Sequence, residues 1–143
     1  MKINDVIHAK SQQAVVTISP DATVRELVAL LAEHNVGALV VSEDGERVSG
    51  IVSERDVVRR LHDDEGVLDS PVSAIMTADV RTCSGEDALT ELMQTMTEHR
   101  IRHVPVVADG RLTGIISIGD VVKNRIGELE FERDQLDHYV HQT

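Results

Sequence analysis

The chain has 143 residues, of which 41% are hydrophobic, so it is long enough for one compact domain, or two very small ones, with a real core. Its 25 acidic and 14 basic side chains give a formal net charge of -11. This charge repels nucleic acid, and the sequence has no local cluster of basic residues to offset the repulsion, so nucleic-acid binding is disfavoured. A single cysteine, Cys83, excludes an internal disulfide and a multi-cysteine zinc site.

The N-terminal sequence MKINDVIHAK lacks the regions of a signal peptide, and the chain contains no long apolar run. We therefore expect a cytoplasmic protein that does not associate with membranes. A small anionic ligand is compatible with the acidic composition. Charges beyond a Debye length of roughly 8 Å are largely screened, so the nearest arginines set the local field.

The first group of predicted elements begins with a short strand and turn at Val15–Ala22, in which Ser19 is placed to cap the next helix. That helix has apolar residues at the i, i+3, i+4, i+7 spacing of one buried face, namely Val24, Leu27, Val28 and Leu31. Two apolar runs joined by an Asp-Gly turn then predict a β-hairpin at Gly37–Val52. A second helix begins near Arg55.

The same elements recur further along the chain. A strand and turn occupy Val80–Asp87, with Ser84 as the candidate cap. The helical face returns 65 positions later, from 24 to 89, at Leu89, Leu92, Met93 and Met96. A second hairpin spans Arg102–Ile116, and another helix begins near Gly119. The interval becomes 64, from 50 to 114, because the first hairpin has one extra residue at its turn.

Two copies of one β-α-β-β-α unit predict an α/β fold. Each unit has about 50 residues, a size at which a lone core is marginal, so we expect two pseudo-symmetric repeats packed sheet to sheet. The predicted organisation is repeat 1 with its leading segment at 1–61, a linker at 62–72, repeat 2 with its leading segment at 73–124, and a helical tail at 125–143. The sequences INDVIHA and VSAIMTA, which precede the two units, look equivalent.

The C-terminal tail contains both aromatic residues of the chain, Phe131 and Tyr139. Apolar residues recur through it at alternating steps of three and four, with Arg133 filling one gap: Val122, Ile126, Leu129, Leu136 and Val140. This stripe predicts an amphipathic helix that packs on its own domain or on a dimer partner. We interpret His138 and His141 as surface histidines, because no further metal-ligand cluster accompanies them.

The two units share the motif G-h-h-S-x-x-D, where h is an apolar residue, as GIVSERD from Gly50 and GIISIGD from Gly114. Its Ser-x-x-Asp spacing is that of a capping box, in which the serine caps a helix and the acidic residue bonds back to the serine N–H. A helix start also presents N–H groups and a positive dipole end to an anion. Spacing alone favours the cap and leaves the ligand site open.

The duplicated unit, with two copies of this motif in register, resembles a tandem pair of cystathionine β-synthase (CBS) domains, a Bateman module, of the stand-alone bacterial or archaeal type. The resemblance covers the chain from Val15 to about Lys123. It implies that adenosine-containing ligands bind in clefts between the repeats, with the serine beside phosphate and the aspartate on the ribose hydroxyls. The implied ligands are AMP, ADP or ATP, with NAD(H) or S-adenosylmethionine as further members of the class.

Carried over by position, the resemblance assigns one serine and one aspartate of each copy to the ligand: Ser53 with Asp56, and Ser117 with Asp120. The second hairpin begins with Arg102 and His103, where related proteins often hold phosphate, and the first copy has Gly37 and Ala38 at those positions. The two sites are therefore not expected to be equivalent, and the second is favoured.

Other positions complete the predicted nucleotide site. Thr17 and Thr82 would border the adenine pockets, and Arg55, or else Arg59 or Arg60, would supply positive charge to the first site. The remaining members of the set are Val80, Pro105 and Gly119.

No catalytic motif accompanies these residues: G-x-S-x-G, H-E-x-x-H and the glycine-rich phosphate loops are all absent. We therefore do not expect an enzyme. The resemblance implies a regulatory protein that senses energy or redox state through a ligand-dependent change of shape. The resemblance implies a homodimeric disk of four repeats, and no catalytic cofactor or metal is expected. The rival hypothesis is a dimeric adaptor in which both Ser-x-x-Asp motifs are only helix caps.

Overall fold

The structure is a computed structural model that describes residues 1–10 and 15–141. Repeat 1 and the segment before it contain α1 (Ile3–Ala9), β1 (Thr17–Ile18), α2 (Val24–His34), β2 (Ala38–Val41), β3 (Gly50–Ser53) and α3 (Glu54–Asp63). Two short 3-10 helices follow, at Glu65–Asp69 and Val72–Ala74. Repeat 2 contains α4 (Leu89–His99), β4 (His103–Ala108), β5 (Arg111–Ser117) and α5 (Ile118–His141). The predicted β-α-β-β-α order is confirmed.

The two sheets have the same register. In repeat 1, β1 pairs with β2 in parallel and β2 pairs with β3 antiparallel, with Ile18 opposite Val41. In repeat 2, β4 pairs antiparallel with β5, and Cys83 forms a parallel bridge to Val106. Both residues of this bridge lie 65 positions after the corresponding pair, so the strand predicted near Cys83 is present as a single bridge.

Helices α2 and α4 bury equivalent faces, with one exception to the prediction. Each helix places three residues in the core of its own repeat: Val24, Leu27 and Leu31 in α2, and Leu89, Leu92 and Met96 in α4. Val28 was predicted on the same face but is 41% exposed, whereas Met93 packs at the edge of the second core. Val28 thus lies at the solvent edge of the stripe.

The predicted caps Ser19 and Ser84 are wrong. Helix α2 begins after Thr23, whose hydroxyl accepts from the Glu26 N–H, and α4 begins after Ala88 without a side-chain cap. Both helices start five residues beyond the serines, too far for a capping bond to N2 or N3. Ser19 and Ser84 instead accept bonds within the preceding turns, from the N–H groups of residues 21 and 86.

The leading segments dock crosswise. Helix α1 precedes repeat 1 but buries Ile3 and Val6 in the core of repeat 2, where the Ile3 N–H donates to the Asp87 carbonyl at 3.0 Å. The segment between the repeats buries Val72 and Ile75 in the core of repeat 1. The two segments are therefore equivalent in three dimensions, as predicted. Each packs on the repeat that it does not lead in the chain: the segment before repeat 1 packs on repeat 2, and the segment before repeat 2 packs on repeat 1. The chain-order boundaries 1–61 and 73–124 do not coincide with these packing units.

The faces of the sheets that point away from the helices turn toward the other repeat. All four residues of β2 are buried. Leu39 and Val41 belong to the first core, and the alternation of a strand sends Ala38 and Val40 to the opposite face. A Cβ built on Gly37, which precedes β2, would lie 3.6 Å from the imidazole of His103 in repeat 2. The two repeats therefore meet at the start of β2 and at His103, the first residue of β4.

Helix α5 is continuous for 24 residues and joins the last helix of repeat 2 to the predicted tail without a break. Only Val121 is buried in the core. The apolar stripe of Val122, Ile126, Leu129, Leu136 and Val140 is exposed in the single chain. Of the two predicted alternatives, packing on its own domain is thus not observed for the stripe, and packing on a dimer partner stays a prediction. No helix among residues 1–10 and 15–141 is both long and apolar enough to cross a bilayer.

Candidate functional site

Both Ser-x-x-Asp motifs form complete capping boxes. At the start of α3 the Ser53 N–H donates to Asp56 Oδ2 at 2.8 Å, and the Asp56 N–H donates to Ser53 Oγ at 3.3 Å. At the start of α5 the Ser117 N–H donates to Asp120 Oδ2 at 2.9 Å, and the Asp120 N–H donates to Ser117 Oγ at 3.1 Å. The capping interpretation of the motif is confirmed in both repeats.

A cavity of about 350 Å³ lies between the repeats, beside the second of these helix starts. Repeat 1 contributes the end of α2 and the start of β2, and repeat 2 contributes β5, His103 and the first turn of α5. The segment around α1 and β1 closes another side. The lining residues are Ile7, Lys10, Val15, Val16, His34, Asn35, Val36, Gly37, Ala38, Leu39, His103, Gly114, Ile115, Ser117 and Asp120.

Asp120 is the carboxylate of this cavity, and Lys10 is its ion-pair partner. Lys10 Nζ donates to Asp120 Oδ2 at 2.8 Å and to the Ile115 carbonyl at 3.0 Å. Burial acts to raise the pKa of Asp120, but the hydrogen bonds from Lys10 and Ser117 outweigh it and hold the pKa below its usual value. Asp120 is therefore ionised at neutral pH and accepts hydrogen bonds.

His103 also lines the cavity, where it lies opposite Ser117 in the β4–β5 pairing, and it is partly buried. Burial, the largest influence, lowers the pKa of His103, although the carboxylates of Asp120 and Glu54 act to raise it. The imidazole is therefore neutral at pH 7 and offers one donor and one acceptor. It can bond polar groups of a ligand without carrying charge.

Five of the predicted site residues come together around this cavity: Gly37, Ala38, His103, Ser117 and Asp120. The first copy supplies its hairpin start and the second copy its Ser-x-x-Asp motif. The other predicted residues do not line the cavity within the described part of the chain: Thr17, Ser53, Arg55, Asp56, Val80, Thr82, Arg102, Pro105 and Gly119. Arg102 occupies the position equivalent to Gly37, and its side chain is exposed, so its charge is not in this cavity.

Sequence reasoning missed the contribution of the N-terminal segment. Ile7, Lys10, Val15 and Val16 line the cavity only because α1 docks on repeat 2 while β1 belongs to repeat 1. The equivalence of INDVIHA and VSAIMTA indicated that this segment is structured. It did not indicate on which repeat the segment docks. His34, Asn35 and Val36 were also missed; Asn35 ends α2 in the left-handed conformation, with φ of 52°.

Comparison with known proteins agrees with this architecture. The family model for the CBS domain matches residues 4–63 and 72–127. The CBS domain-containing protein CBSX3, mitochondrial, of Arabidopsis thaliana is 36% identical over 146 residues, which cover 96% of this chain and 71% of that protein. The CBS domain-containing protein YhcV of Bacillus subtilis is 33% identical over 112 residues, covering 78% of this chain and 79% of that protein.

Solved structures show the same fold. A CBS-domain containing protein from Agrobacterium tumefaciens has a TM-score of 0.82 and 42% identity, with 87% of this chain and 99% of that chain covered. The CBS domain pair of protein MJ0100, solved with 5′-methylthioadenosine and S-adenosyl-L-methionine, has a TM-score of 0.78 and covers 90% of this chain and 98% of its own. Its identity is 23%, so this likeness concerns the fold alone.

Two interlocked β-α-β-β-α repeats, with a cavity at their seam and a capped Ser-x-x-Asp helix start in each, define a paired-repeat regulatory module. The chain belongs to the CBS domain family and carries two CBS domains. Stand-alone CBS-pair proteins are generally regulatory and not catalytic.

Proposed function

We propose that this CBS pair binds an adenine nucleotide in the cavity beside Asp120 and reports energy or redox state through a change of shape. The observation that carries the proposal is the cavity itself, which combines an ionised carboxylate, a helix start and a neutral imidazole with apolar walls. Its volume of about 350 Å³ falls within the range of roughly 300–1,000 Å³ typical of small-molecule pockets.

The lining suits the parts of an adenosine ligand. Apolar side chains from both repeats and from the N-terminal segment offer a surface for the base, among them Val16, Val36 and Ile115. In the described part of the chain, the hydrogen bonds that Asp120 accepts fall on Oδ2. Oδ1 is therefore the atom proposed to accept from a ribose hydroxyl, while the cap stays intact. Capping and binding are compatible at the same residue.

A ligand in this cavity would act through the relative arrangement of the repeats. The walls come from β2 of repeat 1, from His103 and α5 of repeat 2, and from the segment that crosses between them. A ligand shifts this arrangement only as far as it binds one state more tightly than another. We propose no reaction on the ligand, and we propose the cytoplasm as the place of action. The CBS pair of MJ0100 illustrates that this fold can hold an adenosine compound.

Thermal unfolding with AMP, ADP, ATP, NAD, NADH and S-adenosylmethionine tests the proposal. A ligand at 100 times its dissociation constant adds about 2.7 kcal/mol of stability. For a chain of this size the midpoint should rise by roughly 5 to 10 °C. Adenine nucleotides are expected to produce this rise, and guanosine monophosphate is the matched control. No shift with any of the six compounds at millimolar concentration would reject the sensor in favour of the adaptor.

The adaptor remains the second candidate because each capping box is complete without a ligand. Under that hypothesis the motifs stabilise α3 and α5, and the exposed face of α5 binds another protein. It predicts unaltered unfolding midpoints with all nucleotides.

We also propose that the chain forms a homodimer through α5. This proposal applies to the nucleotide sensor and to the adaptor alike. The stripe of Val122, Ile126, Leu129, Leu136 and Val140 lies exposed along the helix, and a second copy would cover it. The start of the stripe is flanked by Lys123 and by Arg125, which pairs with Glu128. The later part of α5 is mainly acidic around the single Arg133, with Glu130, Glu132, Asp134 and Asp137. An antiparallel partner helix would place this acidic part beside Lys123 and Arg125.

Sedimentation velocity tests the dimer. The unaltered chain should sediment as a dimer, and Ile126→Glu, which puts a charge in the stripe, should sediment as a monomer. Phe131→Glu is the matched control, because Phe131 is also exposed on α5 but lies off the stripe. A monomeric unaltered chain, or equal behaviour of the two variants, would contradict the α5 interface.

A further inference from the structure

Lys10 is held at the cavity by the docking of α1. It directly follows Ala9, the last residue of α1, and α1 is anchored in the core of repeat 2 through Ile3 and Val6. The Lys10 N–H donates to the Ile7 carbonyl at 3.3 Å, so its backbone continues the helix end. The side chain then extends into the cavity, where it is 28% exposed.

The ammonium of Lys10 has capacity for a further partner. A lysine carries three N–H donors, and within residues 1–10 and 15–141 two of them are used, on Asp120 Oδ2 and on the Ile115 carbonyl. The third donor lies at the wall of the cavity. The other ionisable lining groups are Asp120, His34 and His103. Since the charge of Asp120 is already balanced by Lys10, an added anion would meet the third N–H donor of Lys10. A second carboxylate, that of Glu54, lies beside Gly37 and His103 but does not line the cavity.

The equivalent position in the other half of the molecule has the opposite charge. The two leading segments correspond at an interval of 69, from 3 to 72, which relates Ile7 to Met76 and Lys10 to Asp79. The packing confirms the correspondence, because a Cβ on Gly114 would lie 2.7 Å from Ile7 and a Cβ on Gly50 would lie 2.7 Å from Met76. By this correspondence, the segment that docks on repeat 1 has an acidic residue, Asp79, at the position where the segment that docks on repeat 2 has Lys10.

We propose that Lys10 determines ligand specificity by bridging Asp120 and the 5′-phosphate of the bound ligand, so that this cavity selects phosphorylated adenosine. The inference rests on the proposed function and names its substrate class. Ribose hydroxyls on Asp120 bring the 5′-phosphate within a few bonds of the same carboxylate, a distance that the flexible four-carbon stem of lysine spans. The sulfonium of S-adenosylmethionine would meet a like charge, and adenosine or 5′-methylthioadenosine would leave the donor without an anion.

Isothermal titration with AMP and adenosine isolates this effect, because the two compounds differ only in the phosphate. The unaltered chain should bind AMP at least about 10-fold more tightly than adenosine, the scale of one charge-assisted hydrogen bond. In Lys10→Met the two affinities should become nearly equal, through loss of AMP affinity, with adenosine unchanged or tighter. Lys10→Arg should keep the preference. Lys2→Met is the matched control, since Lys2 forms an exposed ion pair with Glu86 outside the cavity.

The outcomes separate the two claims. If AMP binds the unaltered chain and Lys10→Met keeps the full preference for AMP, the role of Lys10 is overturned and the proposed function stands. If neither AMP nor adenosine binds the unaltered chain, both claims fall. Circular dichroism of each variant checks that the fold is retained.

Discussion

Asp120→Asn is expected to weaken adenine-nucleotide binding by roughly 10- to 100-fold, the usual worth of a hydrogen bond to a charged group. The substitution keeps the size of the side chain and an oxygen that can accept from the Ser117 N–H. It removes the negative charge that would hold a ribose hydroxyl, and it leaves Lys10 without its counter-charge in the cavity. The loss should therefore appear in binding far more than in folding.

Asp56→Asn is the matched control for this measurement. Asp56 makes the same capping box at the start of α3 but does not line the cavity. Without ligand, each variant should lose a small amount of stability from its capping box, on the order of 1 kcal/mol or less, and Asp120→Asn should lose more because it also weakens the ion pair with Lys10. Titration calorimetry with the nucleotide that gives the largest thermal shift should then separate them. A greater loss of affinity in Asp56→Asn than in Asp120→Asn would place the ligand in the other cleft.

Ile3→Ala is expected to lower the free energy of unfolding by about 2–5 kcal/mol, the cost of truncating a fully buried isoleucine. Ile3 is 0% exposed and packs in the core of repeat 2, although it precedes repeat 1 in the chain. Its backbone is tied there by the bond to the Asp87 carbonyl. Because the leading segments interlock the repeats, the whole chain should lose stability in one transition.

Urea denaturation of the unaltered chain and the variant gives this difference directly. Val58→Ala is the control, since Val58 is an exposed aliphatic residue on α3 and its truncation should change stability by less than about 0.5 kcal/mol. An effect of Ile3→Ala as small as that of Val58→Ala would show that α1 is not docked in the second core. Two separate transitions would show that the repeats are not interlocked.

The crossed docking also explains how the two halves of the molecule can differ. Each repeat packs against the leading segment that precedes the other repeat in the chain. Sequence differences between these two segments therefore change the surroundings of each repeat while the capping boxes remain alike. Lys10 and Asp79 are the clearest case, because they place opposite charges at equivalent positions.

Burial also sets the chemistry of the lone thiol. Cys83 packs at the edge of the second core, and burial, aided by the charge of Asp87, raises the pKa of its thiol to about 12. The thiol is therefore protonated at neutral pH and is a poor nucleophile. This agrees with the expectation from composition that Cys83 serves as a small apolar side chain.

The sequence by itself determined the features that repeat locally. Helical spacing, Asp-Gly turns and the capping-box spacing each involve residues within a few positions of one another, so the period of the pattern is enough to identify the element. The Asp109-Gly110 turn is an example, with φ of 52° and 76° at its two residues, as a two-residue hairpin loop requires. The 65-residue interval between equivalent helices then identified the duplication, and with it the CBS pair.

Only the tertiary structure decided which segments meet. The caps Ser19 and Ser84 were misassigned because each helix begins at a later residue. Arg102 is exposed at the start of the second hairpin and does not line the cavity. The contact of Lys10 with Asp120 joins residues 110 positions apart. No local pattern encodes such a contact, because it depends on burying α1 in a core built from residues beyond position 80, and that burial carries the lysine to the cavity.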